Sequence, residues 1–229
     1  MKENKQIVSL YKTRYQFQEY YNLTSELLFK NDLFFDCKSK INNKNKITLI
    51  ECQNGDIRVD LPISLGKENA KYRFAILGLE PRDSNSKFNI ERSGKFVFGT
   101  PFGIEYWTEK NKYYRCFEEL LKRDDCYLYF TDVVKEYEVK TSKGEADFNA
   151  RKTFWKKAAD TENLSFLKKE LEIINPTHII ALGNDTYTFL HQQFGDKVIK
   201  VVHPNARQNM QSKENAWDLA KKQLNVIFN

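Results

Sequence analysis

The sequence predicts an α/β protein, a three-layer α/β/α sandwich around a central, mainly parallel four-stranded sheet. Three observations carry this. Nearly continuous apolar runs recur at Phe74–Leu79 (FAILGL), Tyr127–Thr131 (YLYFT), Thr177–Leu182 (THIIAL) and Lys197–Val202 (KVIKVV), as strands buried on both faces require. Helically spaced segments follow them at Leu164–Asn175, Asn184–Gln193 and Trp217–Ile227, and strands alternating with helices imply a parallel sheet covered on both sides. The 229 residues, 41% of them hydrophobic, suffice for one large core and not comfortably for two.

The elements follow in order. Ser9–Phe29 is aromatic-rich and reads as a helix. Ile47–Cys52 and Ile57–Leu61 read as short strands, a hairpin turning at Asn54-Gly55. Phe74–Leu79 is the first buried strand, and Tyr113–Leu121 a helix. Tyr127–Thr131 is the next strand, leading into Asp132-Val133-Val134. In Leu164–Asn175 the residues Leu167, Leu171 and Ile174 share one face, and the helix stops before Pro176. Gly183 ends the third strand, and His203-Pro204 ends the fourth. Trp217, Ala220, Leu224 and Ile227 form the stripe of a terminal helix. The expected organisation is one domain over 1–229, with 1–70 a helical and hairpin extension packed on it.

Composition narrows the function classes. The formal charge is +6 and the pI about 8.9, which suits an anionic partner such as nucleic acid. The cysteines, Cys37, Cys52, Cys116 and Cys126, include no C-x-x-C pair. Their spacing fits neither a zinc site nor a disulfide frame, so reduced thiols in an intracellular, cytoplasmic protein are expected. No apolar run reaches the ~20 residues of a membrane span, and Met1–Leu10 has no signal-like apolar stretch. No G-x-G-x-x-G follows any strand, which argues against a dinucleotide-binding protein.

Ligands of open parallel sheets sit beyond the carboxyl ends of the strands. Three such ends are chemically distinctive: Gly78-Leu79-Glu80-Pro81-Arg82, Thr131-Asp132 and His203-Pro204-Asn205. Singly, Glu80 and Asp132 read as helix caps or loop acids, and His203 as a structural histidine. Together they put two carboxylates and an imidazole on one sheet edge. Phe96, Phe98 and Phe102 lie among Gly94, Gly99 and Gly103, a loop suited to holding an aromatic against a planar ligand. Arg207 follows in a basic, amide-rich loop that could meet phosphate or enter a base stack.

These segments resemble motifs of the uracil-DNA glycosylase superfamily. AILGLEPR is similar to its strand running into G-x-[DN]-P, and VVHPNAR to its H-P-S motif. GTPFG, at 99–103, and HPNARQNMQSKENAWDLAKKQLN resemble the single-strand-selective monofunctional branch. YLYFTDVVKE is similar to the T-N-V-V-K segment of the iron–sulfur branch, and PTHIIALGNDTYTFL to a shared strand–helix unit. The resemblance runs from Phe74 to the C-terminus.

It implies a monofunctional DNA glycosylase, a monomer acting on single- or double-stranded DNA and not on a membrane. Glu80 and His203 would be catalytic, Glu80 facing the sugar cation and positioning water, His203 bonding the departing base. Phe102, with Phe98 as the alternative, would stack on the flipped base. Asp132 would read its edge beside Gly78. Arg207 would be the wedge, with Asn205 and Arg82 also contacting DNA. The iron–sulfur branch carries a cysteine directly after V-V-K; Glu136 stands there, so no cluster, metal or cofactor is expected.

One departure bears on the substrate. The uracil readers carry Asn where this chain has Asp132. An amide donates and accepts, whereas an ionised carboxylate only accepts and suits an exocyclic amine, as on cytosine. Protonated, Asp132 would mimic Asn and restore uracil. A cytosine-type or modified base is therefore expected. The long loop from Arg82 to Gly99 would leave room for a substituent, as excision of modified bases from foreign DNA would need. The alternatives are an ordinary uracil or 5-hydroxymethyluracil repair enzyme and a catalytically silent DNA-binding member of the fold.

Overall fold

The computed structural model describes residues 2–15, 50–51, 57–59, 62–66, 69–79, 95–96, 116–117, 119–120, 122–138, 155–204, 206 and 215–228. In chain order the elements are α1 (Lys2–Tyr15), β1 (Ile50–Glu51), β2 (Ile57–Val59), β3 (Ile63–Gly66), β4 (Tyr72–Gly78), β5 (Lys95–Phe96), β6 (Cys126–Asp132), β7 (Glu136–Glu138), α2 (Thr161–Ile174), β8 (His178–Leu182), α3 (Asn184–Phe194), β9 (Val198–Val201) and α4 (Ala216–Phe228).

The central sheet has five strands in the order β3-β6-β4-β8-β9. Four of them, β6, β4, β8 and β9, are parallel, as the apolar runs predict. In β4 every residue from Phe74 to Gly78 is buried, and β6 is buried throughout. Alternate residues feed opposite faces. Phe74, Ile76, Leu128, Phe130, Ile180 and Leu182 pack under Phe117, Ala220 and Leu224. Ala75, Leu77, Ile179 and Ala181 pack under Leu167, Leu171, Phe189 and Leu190. One face is thus covered by α4 and the helical residues around Phe117, the other by α2 and α3, which completes the three layers.

Local signals explain the helix ends. The Asp160 side chain accepts from the N–H groups of Glu162 at 3.0 Å and Asn163 at 3.2 Å, capping α2. Asn175 closes α2 with φ 45°, a left-handed turn that asparagine tolerates, and Pro176 follows.

Three expectations need correction. Among the described residues the two predicted hairpin strands do not pair with each other: β1 pairs with β5 and β2 with β7, both antiparallel, and the predicted turn at Asn54-Gly55 lies outside the described residues. Strands of two or three residues gain little from each other, so pairing is decided by which neighbours the tertiary fold brings near. The segment from Arg82 to Gly99 accordingly contains β5 and is not all loop. The four parallel strands stand as expected, and a fifth, β3, lies antiparallel on β6 at the edge of the sheet. Pro62 directly precedes β3, a position compatible with an edge strand. The N-terminal helix begins at Lys2, ahead of the predicted Ser9, and its predicted stretch from 16 to 29 lies outside the described residues.

α1 is docked on α2. Ile7 and Tyr11 are fully buried. The Tyr11 ring meets Phe166 edge-on at 4.9 Å, and the Arg14 guanidinium lies over the same ring at 4.7 Å. Glu3 pairs with Arg73 of β4 at 2.6 Å, and Arg73 also donates to the Ile174 carbonyl that ends α2. Among the described residues no helix is long and apolar enough to cross a membrane.

Cys116 and Cys126 are buried without a disulfide, and burial pushes their thiols up to about 12 and about 11. At pH 8 roughly one thiol in a thousand or fewer is then ionised, and the thiolate is the nucleophile. Iodoacetamide at pH 8 is expected to leave both unmodified in the native protein and to label both in urea, as read by peptide mass mapping. Fast native labelling of Cys126 would contradict its burial.

Candidate active site

The parallel strands end on one edge. Gly78 closes β4 directly opposite Asp132, which closes β6. The two chains stay joined beyond the ladder: Val133 N–H donates to the Gly78 carbonyl at 3.0 Å, and Val134 N–H to the Leu79 carbonyl at 3.1 Å. Asn163 of α2 donates to the Val133 carbonyl at 3.2 Å. Asp132 is thereby anchored at the strand end, 1% exposed.

The opposite flank is built by β8 and β9. Gly183 N–H donates to the Val201 carbonyl at 2.8 Å. Its φ of 93° and ψ of 171° fall in a region essentially reserved for glycine. A Cβ built there would sit 3.4 Å from the Cβ of His203, an ordinary van der Waals contact, so it is the backbone conformation that calls for glycine. His203 is held on both sides in sequence: Val202 N–H donates to the Gln223 side chain of α4 at 2.8 Å, and Ala206 N–H to the His203 carbonyl at 2.8 Å. Asp132 and His203 thus stand on the outer two of four adjacent strand ends. At ~4.8 Å per strand their backbones are about 14 Å apart.

Of the residues singled out from the sequence, Gly78, Asp132 and His203 are brought to this edge. Glu80, Arg82, Phe98, Phe102, Asn205 and Arg207 lie outside the described residues.

Sequence reasoning missed the group behind Asp132. Lys135 and Glu170, both 0% exposed, pair at 2.6 Å. The Lys135 ammonium also donates to the Thr131 hydroxyl and to the main-chain carbonyl of Asp132. The other Glu170 oxygen accepts from Tyr129 at 2.6 Å, Tyr11 at 2.8 Å and Thr131 at 3.1 Å. Burial, and then the Glu170 carboxylate, push the Tyr129 phenol well above its ordinary value, so it stays a donor. One signal was available. Glu170 lies on the buried stripe of α2 with Asn163, Phe166, Leu167, Leu171 and Ile174, and a charge on such a stripe demands a buried partner. Among the described residues no cluster of His, Cys, Asp and Glu could hold a metal ion.

A family model of the uracil DNA glycosylase superfamily matches residues 64–223, more than two thirds of the chain. The chain belongs to the uracil DNA glycosylase superfamily. The superfamily match begins within β3 and ends within α4, so it contains the four parallel strands and their carboxyl ends. α1 precedes it. None of the curated proteins matches the chain.

Gly183→Ala is expected to destabilise the protein by about 1–3 kcal/mol, from the backbone conformation alone. Urea unfolding measures the effect. A variant as stable as the parent would show that this backbone conformation does not require glycine.

Proposed function

We propose that this protein is a monofunctional DNA glycosylase that hydrolyses the N-glycosidic bond of a flipped base, and that the base carries an exocyclic amine. What supports this most is that Asp132 and His203 end two strands of one sheet edge in a superfamily fold. The target base, extruded or already single-stranded, enters between them. Phe102, or Phe98, stacks on it beside Gly78. Asp132 accepts from the amine, a contact that uracil cannot supply.

The bond breaks through an oxocarbenium-like state, as in glycoside hydrolysis. Its electron pair leaves with the base nitrogen, and an N–H of His203 stabilises the base oxygen as charge builds there. A water oxygen bonds to the sugar carbon, and Glu80 takes its proton. Arg207 fills the vacated stack, with Asn205 and Arg82 on the backbone. Lys135 is engaged by Glu170, which favours water over a lysine as the nucleophile, and the product is an abasic site on an intact strand. The enzyme acts as a monomer. Within the superfamily, GTPFG and HPNAR favour the single-strand-selective branch.

The test is a panel of oligonucleotides carrying uracil, 5-hydroxymethyluracil, cytosine or modified cytosines, with abasic sites cleaved by alkali. Scission is expected on an amine-bearing base and not on uracil. His203→Ala and Glu80→Gln should each lower the rate ~100- to 1000-fold, and Asp132→Asn should shift preference toward uracil. Scission on uracil alone by the parent protein overturns the base assignment. DNA binding without release of any base overturns the enzymatic one.

A further inference from the structure

We propose that α1, which precedes the superfamily match, is a positioning element of the base pocket: through Tyr11, Glu170 and Lys135 it fixes the strand end that carries Asp132. The role of Asp132 as base reader rests on the glycosylase reading; the mechanical link does not.

The chain of contacts is short. Tyr11 of α1 donates to Glu170 of α2, Glu170 pairs with Lys135, and Lys135 donates to the Asp132 carbonyl. A carbonyl at the last residue of a strand sets the plane of the following peptide, and Val133 N–H in that peptide donates to Gly78. The direction in which Asp132 leaves the backbone is therefore tied to the ammonium of Lys135. That ammonium is located by Glu170 and Thr131, and Glu170 is located by three hydroxyl donors, one of which comes from α1.

Stability alone does not account for this arrangement. Tyr11, Tyr129, Lys135 and Glu170 are 0% exposed. A desolvated ion pair is commonly no more stabilising than apolar residues of the same volume. Its distinctive property is geometric, because five directional contacts converge beside one strand end. α1 is in turn clamped by Ile7, by the Tyr11–Phe166 contact and by Glu3–Arg73, so the Tyr11 hydroxyl is itself held in place.

The experiment compares the parent protein with Tyr11→Phe, which keeps the ring and removes only the hydroxyl, and with the double variant Lys135→Met/Glu170→Leu, which replaces the pair by apolar groups. Hydrogen–deuterium exchange is read at the Val133 and Val134 amides, with α3 as control, alongside kcat and KM on the oligonucleotide panel. Both variants should exchange faster at Val133 and Val134, by about tenfold or more, while α3 is unchanged. kcat should fall ~10- to 100-fold, as for misplacement from outside the chemistry, with KM little altered.

Unchanged exchange at Val133 and Val134 overturns the proposal. So does a rise shared equally with α3, which would assign Tyr11 to global stability. A folded double variant with parental kcat and base preference overturns it as well. If the parent releases no base, the glycosylase reading fails, and the exchange data still decide whether α1 holds the strand end.

Discussion

The in-register pairing of β4 between β6 and β8 governs the rest of the molecule. Gly78 pairs with Asp132 on one side, and Leu77 pairs with Ala181 on the other. Because parallel strands all point the same way, every crossover returns the chain to the same end, and the carboxyl termini of β6, β4, β8 and β9 form a single rim. A strand buried on both faces has almost no tolerance for slippage, since a one-residue shift would exchange Phe74 and Ile76 with Ala75 and Leu77 between layers of different composition. The register that packs the core is therefore also the register that aligns Asp132 with Gly78. Core packing and site geometry are one constraint.

On that rim the two flanks are made differently. The Asp132 side is polar and rigid, with backbone bonds from Val133 and Val134 to β4 and a buried ion pair beneath. The His203 side includes the positive-φ backbone of Gly183 and the Gln223 side chain reaching from α4 to Val202. The first flank thus carries a buried charge pair and the second a backbone conformation that favours glycine.

The buried Lys135–Glu170 pair has a physical cost that explains its construction. Two desolvated charges repay their loss of hydration only when their remaining lone pairs and protons are satisfied. Three hydroxyls serve Glu170, and a hydroxyl and a carbonyl serve Lys135. α1 joins the fold at this point, so a helix outside the superfamily match is integrated through the least forgiving part of the interior, where a missing hydrogen bond costs most.

The sequence by itself determined the four parallel strands, the helices between and after them and the chemical character of their ends, because apolar continuity, helical spacing and turn residues are local properties. Phe74–Leu79 and Thr177–Leu182 were legible as buried strands, and Asp132 and His203 as residues at their rim, without coordinates. The tertiary structure alone decided which short strands pair, that β3 joins the sheet, and that Tyr11, Glu170 and Lys135 meet. Those outcomes depend on partners 35 to 159 positions apart. A two-residue strand carries no register of its own, and a buried charge reveals its partner only once both have left water.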